Sequence, residues 1–230
     1  MTTENKHILG RFNEALETLR NDILRMASIT SENLRHAMAG LLARDDDRCN
    51  RAIAEDEDVD QLEKTIDREG LDIILRFSPV ASDLRHVIST MKMSNNLERI
   101  SDQATSIAKR ARRLNRHAKI PEVHLIEPVY ETALSMLHDA VRAFKDSDIA
   151  TSLELDARDD ELDRAHKILI KNFTSRAESE AGRAEDYIDL IFIVRFLERV
   201  GDHAVNIGED CVYAHSAHDI RHGGQRPTPT

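Results

Sequence analysis

The sequence predicts an all-α protein that consists of two tandem three-helix bundles related by an internal duplication. The chain has 230 residues, of which 40% are hydrophobic and 32% are charged, with no Trp and only eight Gly. This composition is typical of helical proteins. Hydrophobic residues recur every three or four positions over long segments, as they do on one face of a helix. Two separate segments also recur one hundred residues further along the chain.

Three helices are predicted for the first bundle. The first helix carries an apolar stripe over residues 9–41, in steps of three and four. An acidic break follows, in which Asp47 is the expected N-cap of the second helix, because a carboxylate there accepts hydrogen bonds from free backbone N–H groups. The second helix is expected to run to about Phe77, since Pro79 cannot continue a helix interior. The third helix is predicted to extend to Leu114.

The second bundle is predicted from the duplication. Residues 97–104 (LERISDQA) match residues 197–204 (LERVGDHA), and residues 56–62 match residues 156–162 at the same offset. Two matches at one offset indicate that the second half repeats the layout of the first. The C-terminal segment contains Gly and Pro and is predicted to be disordered. The predicted domains are residues 1–118 for the first bundle, 119–218 for the second bundle and 219–230 for the tail.

Charge and apolar runs narrow the classes of function. The net charge of −10 argues against a nucleic-acid binder, which needs cationic side chains against phosphates, and it is compatible with cation binding. The longest unbroken apolar run, residues 190–194, is far too short to cross a bilayer, so a membrane role is expected only through a partner. Cys49 and Cys211 are too few for a disulfide framework and fit a reducing compartment. We therefore expect a cytoplasmic protein.

Acid pairs at helical spacing are the candidate functional residues. Glu98 and Asp102 are four residues apart, so they share one face of the third helix, and Asp56 and Asp60 do the same on the second helix. A chain reversal at Pro79 makes these helices antiparallel and places Asp60 near Glu98. Four carboxylates then converge at one level. All-oxygen sites of this kind suit Mg²⁺, Mn²⁺, Ca²⁺ or Fe.

The second half repeats the acid pairs, and we predict a second metal site there. His203 is a possible nitrogen ligand near it. The predicted metal ligands are Asp56, Asp60, Glu98, Asp102, Asp156, Asp160, Glu198 and Asp202.

Two alternatives remain open for these acids. They can be ordinary solvated charges on an acidic protein, in which case the chain is a metal-free helical scaffold. A di-metal carboxylate enzyme of the ferritin-like class needs carboxylates that point into the core of a four-helix bundle. Because the acid pairs lie away from the apolar stripes, we expect them on the surface or in a groove, and we expect no enzyme.

Three motifs resemble the PhoU family, over nearly the whole chain. They are the P-x-A-x-D-L-R pattern of residues 79–85, the L-E-R-I-x-D pattern of residues 97–102 and the stretch LERVGDHAVNI of residues 197–207. The resemblance implies a tandem pair of three-helix bundles and, in some members, surface metal clusters held by the acid pairs. Ser101 stands where the family usually has Gly, and Gly208 where it more often has Ala, which suggests that the two sites are not equivalent.

The resemblance also implies a function. PhoU-like proteins are negative regulators of inorganic phosphate uptake and of the phosphate-starvation response. They act between the ATPase subunit of a phosphate ABC transporter and its two-component sensor histidine kinase, and they commonly form homodimers. The expected cofactor is a divalent or trivalent metal ion: Fe, Mn, Zn or Mg.

Overall fold

The fold is built entirely from helices and turns within the residues that the structure describes. A computed structural model describes the backbone of residues 3–221 and the side chains of residues 9–221. The predicted tail lies outside the described residues from position 222 onward. The helices are α1 (Thr3–Leu42), α2 (Asp46–Phe77), α3 (Ala81–Leu114), α4 (Glu127–Asp146), α5 (Ile149–Ser179) and α6 (Ala184–Ser216). Short 3-10 turns cover Pro121–Ile126 and Ala181–Arg183. The predicted all-α class is confirmed.

The turns of the first bundle follow from local chemistry. The N-cap of α2 is Asp45, whose Oδ1 accepts hydrogen bonds from the backbone N–H groups of Asp47 and Arg48 at 3.0 and 3.2 Å. The prediction of Asp47 as the cap was therefore wrong by two residues, because the helix begins earlier in the acidic run. At the other end of α2, Ser78 adopts a left-handed conformation with φ 47° and ψ 53°. This residue and Pro79 turn the chain into α3 after only three residues.

Two three-helix bundles share one continuous core. Helices α1, α2 and α3 pack on one another, α4, α5 and α6 form the second bundle, and α3 packs along α6 to join the two. The apolar stripes of α3 and α6 are fully buried, as Ile100, Ile107, Val200 and Ile207 illustrate. The fold predicted from the duplication is therefore present.

None of the helices in the described part of the chain combines the length and the hydropathy that a membrane span requires.

The contact between α1 and the start of α2 leaves no room for a side chain at Gly40. A methyl group there would overlap Cys49 Sγ and lie 3.0 Å from the backbone oxygen of Asp45. We expect Gly40→Ala to lower the free energy of unfolding by about 1–3 kcal/mol, the usual cost of overpacking. Gly10 has open space around it, so Gly10→Ala should instead stabilise by about 0.5–1 kcal/mol through helix propensity.

Urea unfolding of the two variants beside the parent tests this difference. Equal effects of the two substitutions would contradict the packing of α1 against α2 described above.

Candidate metal centres

The first cluster of acids lies where α2 and α3 run antiparallel. Ser101 Oγ donates a hydrogen bond of 2.6 Å to Asp56 Oδ1, which fixes the register of the two helices. Burial raises the pKa of Asp56, and Asp102 and Asp60 add to this effect, whereas the bond from Ser101 opposes it. The structure thus brings Asp60 and Asp102 within electrostatic reach of Asp56. Glu98 lies in the same cluster.

Glu98 is the most strongly perturbed carboxyl group of this cluster. Burial, followed by the charge of Asp102, raises the pKa of Glu98 to about 7, and Arg99 partly opposes the shift. Glu98 Oε2 is buried and accepts no hydrogen bond, although Arg99 Nε lies 3.3 Å away. A buried acceptor without a donor is costly. A cation among these oxygens would satisfy it.

Glu63 also belongs to the first cluster, although it is not among the ligands predicted from the sequence. Its charge raises the pKa of Glu98, and its Oε1 accepts a hydrogen bond of 3.3 Å from Asn95 Nδ2. The signal was available in the sequence, because Glu63 follows Asp60 by three residues and Asp56 by seven and therefore shares their helix face. The first cluster thus contains five carboxylates.

The second cluster lies between α5 and α6, but not in the predicted register. The structure brings Asp159 and Asp163 to Glu198 and Asp202. The charges of Asp163 and Glu198 raise the pKa of Asp202, and those of Asp202 and Asp163 raise the pKa of Asp159, in both cases after burial as the largest cause.

Asp156 and Asp160, which were predicted to be ligands, are exposed on α5. Asp156 is close enough to raise the pKa of Asp159, but neither Asp156 nor Asp160 is among the largest causes of the pKa shifts of Glu198 and Asp202. Asp159 and Asp163 therefore lie nearer to the acids of α6, and metal binding by Asp156 and Asp160 stays a prediction.

The physical reason for the shifted register is the packing beneath the cluster. A methyl group at Gly201 would overlap Leu162 and lie 2.9 Å from Asp159 Oδ1. Gly201 corresponds to Ser101 of the first bundle, so Asp159 takes the place of Asp56, and Leu162 takes that of the buried Val59. Between the acids of α5 and those of α6 the chain is three residues shorter than between the acids of α2 and those of α3. The sequence offset between matching residues of the two bundles is therefore not constant.

The second cluster has its own unsatisfied groups. Burial, followed by the charges of Asp202 and Asp163, raises the pKa of Asp159 to about 7. Asp159 Oδ1 is buried and accepts no hydrogen bond. Lys167 Nζ donates to Asp163 Oδ2 at 2.8 Å, so one cation already lies at the rim.

His166, not His203, is the imidazole at this cluster. Asp163, His166 and Glu198 each offer one ligand atom, and these atoms lie within 4.8 Å of one another. Both ring nitrogens of His166 are buried and have no hydrogen-bond partner. Burial lowers the pKa of His166 and so favours the neutral ring that binds metals. His203 Nδ1 instead lies 3.0 Å from Asn96 Oδ1, between the bundles.

The donors of both clusters suit a metal ion, although among the described residues only the second cluster has three ligand atoms within 4.8 Å of one another. Each combines several carboxylates with at least one buried polar atom that no protein donor satisfies, and the carboxylates alone would repel one another. The first offers oxygen ligands only, which suits hard cations, and the second adds an imidazole nitrogen. The residues that would hold a metal are Asp56, Asp60, Glu63, Glu98 and Asp102 in the first cluster, and Asp159, Asp163, His166, Glu198 and Asp202 in the second.

Comparison with known proteins finds similarity over both bundles. The family model described as "PhoU domain" matches residues 23–111 and 126–211, one segment in each bundle. The chain is 32% identical to a phosphate-specific transport system accessory protein PhoU homolog of Pseudomonas putida, over 95% of this chain and 86% of that protein. It is 30% identical to the PhoU accessory protein of Escherichia coli K12, over 96% and 91% of the two chains.

Solved structures show the same architecture. The crystal structure of PhoU from Pseudomonas aeruginosa aligns with a TM-score of 0.87 at 29% identity and covers 90% of this chain and 99% of that one. The phosphate transport system regulatory protein PhoU from Streptococcus pneumoniae aligns with a TM-score of 0.81 at 25% identity, over 90% and 97% of the two chains.

Proposed function

This chain belongs to the PhoU family, and from that premise we propose that it is a cytoplasmic negative regulator of inorganic phosphate uptake and of the phosphate-starvation response. The observation that carries the proposal is the match over both bundles to proteins named as accessory proteins of phosphate-specific transport systems. Relatives of this chain carry the names of accessory and regulatory proteins, not of enzymes. The proposed role is therefore recognition of partners, without turnover of a substrate.

The proposed partners are the ATPase subunit of a phosphate ABC transporter and the sensor histidine kinase that responds to it. The chain would act as an adaptor between them, as a homodimer, and would meet the membrane only through these partners. Signal transfer in such an adaptor requires that each partner binds two states of the protein with different affinity.

We propose that metal ions at the two clusters set this state. A bound cation supplies positive charge to carboxylates that otherwise raise each other's pKa. In the first bundle, Asp56 and Asp60 on α2 and Glu98 and Asp102 on α3 would bind the ion, and Ser101 would hold Asp56 in position. The metal would thereby link the two helices of each hairpin.

The Glu98→Ala, Asp102→Ala, Glu198→Ala, Asp202→Ala variant tests the metal part of this proposal. We expect the parent, purified without chelator, to carry stoichiometric Fe, Mn, Zn or Mg by elemental analysis, and the variant to carry none. In E. coli cells that lack their own PhoU, the parent should restore phosphate-dependent repression of the transporter genes and the variant should not.

A charge-matched comparison separates ligand loss from loss of acidity. Glu98→Ala with Glu198→Ala removes one cluster acid from each bundle, and Asp58→Ala with Glu161→Ala removes one exposed acid from each. Only the first pair should lower the metal content. If the parent binds no metal even after reconstitution, yet restores repression, the regulatory role stands and the metal-linked state is refuted. A parent that fails to restore repression would count against the regulatory role itself.

A further inference from the structure

We propose that the cluster of the second bundle is a mixed nitrogen and oxygen site in which His166 is a metal ligand, and that it selects borderline cations such as Zn²⁺ and Co²⁺ over Mg²⁺ and Ca²⁺. The first cluster, which offers only oxygen, does not make this distinction. The inference deepens the proposed function, because it rests on the metal-linked state described above. Its consequence is that the two bundles respond to different metals.

The geometry of three side chains carries the proposal. Asp163 and His166 lie on one face of α5, and Glu198 faces them from α6, with one ligand atom of each within 4.8 Å of the others. Zinc-to-ligand distances are about 2.0–2.2 Å, so ligand atoms around one zinc ion lie roughly 3–4 Å apart. Small side-chain rotations would bring all three to the same ion. Asp159 and Asp202 stand beside them and offer further oxygens.

The state of the imidazole is an independent observation. Both ring nitrogens of His166 are buried and neither donates nor accepts a hydrogen bond. A neutral imidazole normally uses one nitrogen as a donor and the other as an acceptor, and burying both without partners costs free energy. A metal ion at one nitrogen removes half of this deficit. The other imidazole near these helices, that of His203, is engaged by Asn96 and is not a candidate.

The corresponding position of the first bundle shows what is different. With Asp159 in the place of Asp56 and Asp163 in that of Asp60, His166 stands in the place of Glu63, whose carboxylate accepts a hydrogen bond from Asn95. Imidazole suits Zn²⁺, Co²⁺, Ni²⁺ and Fe²⁺, whereas carboxylate and water ligands suit Mg²⁺, Ca²⁺ and Mn²⁺. One residue therefore changes the donor set from oxygen alone to nitrogen and oxygen.

An incoming metal ion has to displace Lys167 from Asp163. Its Nζ donates to Asp163 Oδ2 at 2.8 Å, and its charge also favours the ionised form of Glu198. The ammonium group is largely exposed, with 70% of the side chain accessible, so it can move into solvent at small cost. Entry of a divalent cation replaces this single charge with a larger one held by more ligands.

The test uses the full chain, stripped with a chelator and titrated with Zn²⁺ and with Co²⁺ in excess Mg²⁺. We expect one tight site per chain under these conditions, and a shift of the His166 ring resonances in a nitrogen-detected NMR spectrum. Loss of a group that only hydrogen-bonds to a metal ligand costs about 10–100-fold in metal affinity, so loss of the ligand itself in His166→Ala should weaken Zn²⁺ binding by ~100-fold or more. The control is His124→Ala, which removes an exposed histidine outside both clusters.

A reciprocal exchange sharpens the test. His166→Glu should give the second cluster the oxygen-only selectivity of the first, and Glu63→His should create a second Zn²⁺ site that resists Mg²⁺. If metal binds but His166→Ala keeps its Zn²⁺ affinity and the parent's His166 resonances do not shift, this inference is wrong and the metal-linked adaptor survives. If the parent binds no metal at all, both fail. Should His166→Ala not fold, the spectrum of the parent decides alone.

Discussion

Replacing Arg110 and Arg113 together with Met should lower the free energy of unfolding by about 3–5 kcal/mol, because it strands a buried charge between the bundles. Arg110 Nη1 and Arg113 Nε donate hydrogen bonds of 2.5 Å to the two carboxylate oxygens of Asp189. The side chain of Asp189 is only 4% exposed. Arg110 also stacks on the Phe192 ring, 4.0 Å from its centroid, and the apolar stem of Met keeps most of that contact.

Two control variants separate the effect of the stranded carboxylate from a general loss of positive charge. Adding Asp189→Leu removes the stranded carboxylate and should recover most of the loss, since an apolar replacement of a buried ion pair is often neutral or better. Lys109→Met with Arg116→Met removes two exposed cations near the C-terminal end of α3 and should change stability by less than about 0.5 kcal/mol. Urea unfolding measures all three. If the Arg110→Met, Arg113→Met variant is as stable as this surface control, the packing of α3 on α6 does not depend on the ion pairs of Asp189.

In the metal-free protein, Glu98 and Asp159 should reduce stability as the pH rises through neutrality. The pKa of Glu98 and that of Asp159 are each raised to about 7 from ordinary values of 4.5 and 3.8. Between those ordinary values and pH 7 the folded chain holds protons that the unfolded chain has released. The contribution of these two groups to stability is therefore most favourable near or below the unfolded pKa values, falls as the pH rises, and stays reduced above pH 7.

Isosteric neutral side chains should remove this dependence. We expect Glu98→Gln with Asp159→Asn to raise the free energy of unfolding of the chelated protein at pH 8 by about 2 kcal/mol. A shift of one pKa unit corresponds to about 1.4 kcal/mol, and solvent at these partly exposed clusters reduces the full effect. At pH 4 the variant and the parent should be equally stable.

Unfolding curves at several pH values, with chelator and with added Mn²⁺ or Zn²⁺, test this expectation. Metal should stabilise the parent at pH 8 by more than it stabilises the variant, which has lost one carboxylate from each cluster, because a ligand stabilises only the state that binds it. Asp58→Asn with Glu161→Gln serves as the matched exposed pair. If the stability difference between the Glu98→Gln, Asp159→Asn variant and the parent in chelator is the same at pH 5 as at pH 8, the burial of Glu98 and Asp159 described above is wrong.

The first cluster could largely be predicted from the sequence, and the second could not. In the first bundle the turn at Pro79 is tight, so one antiparallel register follows, and Asp60 meets Glu98 as expected. In the second bundle, residues 156–163 include more than one pair of acids four residues apart, so the spacing alone does not select the pair that faces α6. A constant offset along the duplication favours Asp156 and Asp160, whereas the packing of α5 on α6 brings Asp159 and Asp163 to the acids of α6.

The basic run at the end of α3 makes the same point. The pattern of cations over residues 109–116 is by itself typical of charges placed favourably at a helix C-terminus. In the structure Arg110 and Arg113 instead hold Asp189 of the other bundle. Nothing in the local pattern connects residues that lie more than seventy positions apart.

The sequence by itself determined the helices, their duplication, the family and the presence of acids on outward helix faces, because these depend on spacing within a helix. Only the tertiary structure decided which acids meet, which histidine joins them and which arginines bind Asp189. Those outcomes depend on the register in which one helix packs along its neighbour. The packing of Leu162 against Gly201 sets that register in the second bundle, and a shift of three residues in this contact exchanges one set of ligands for another.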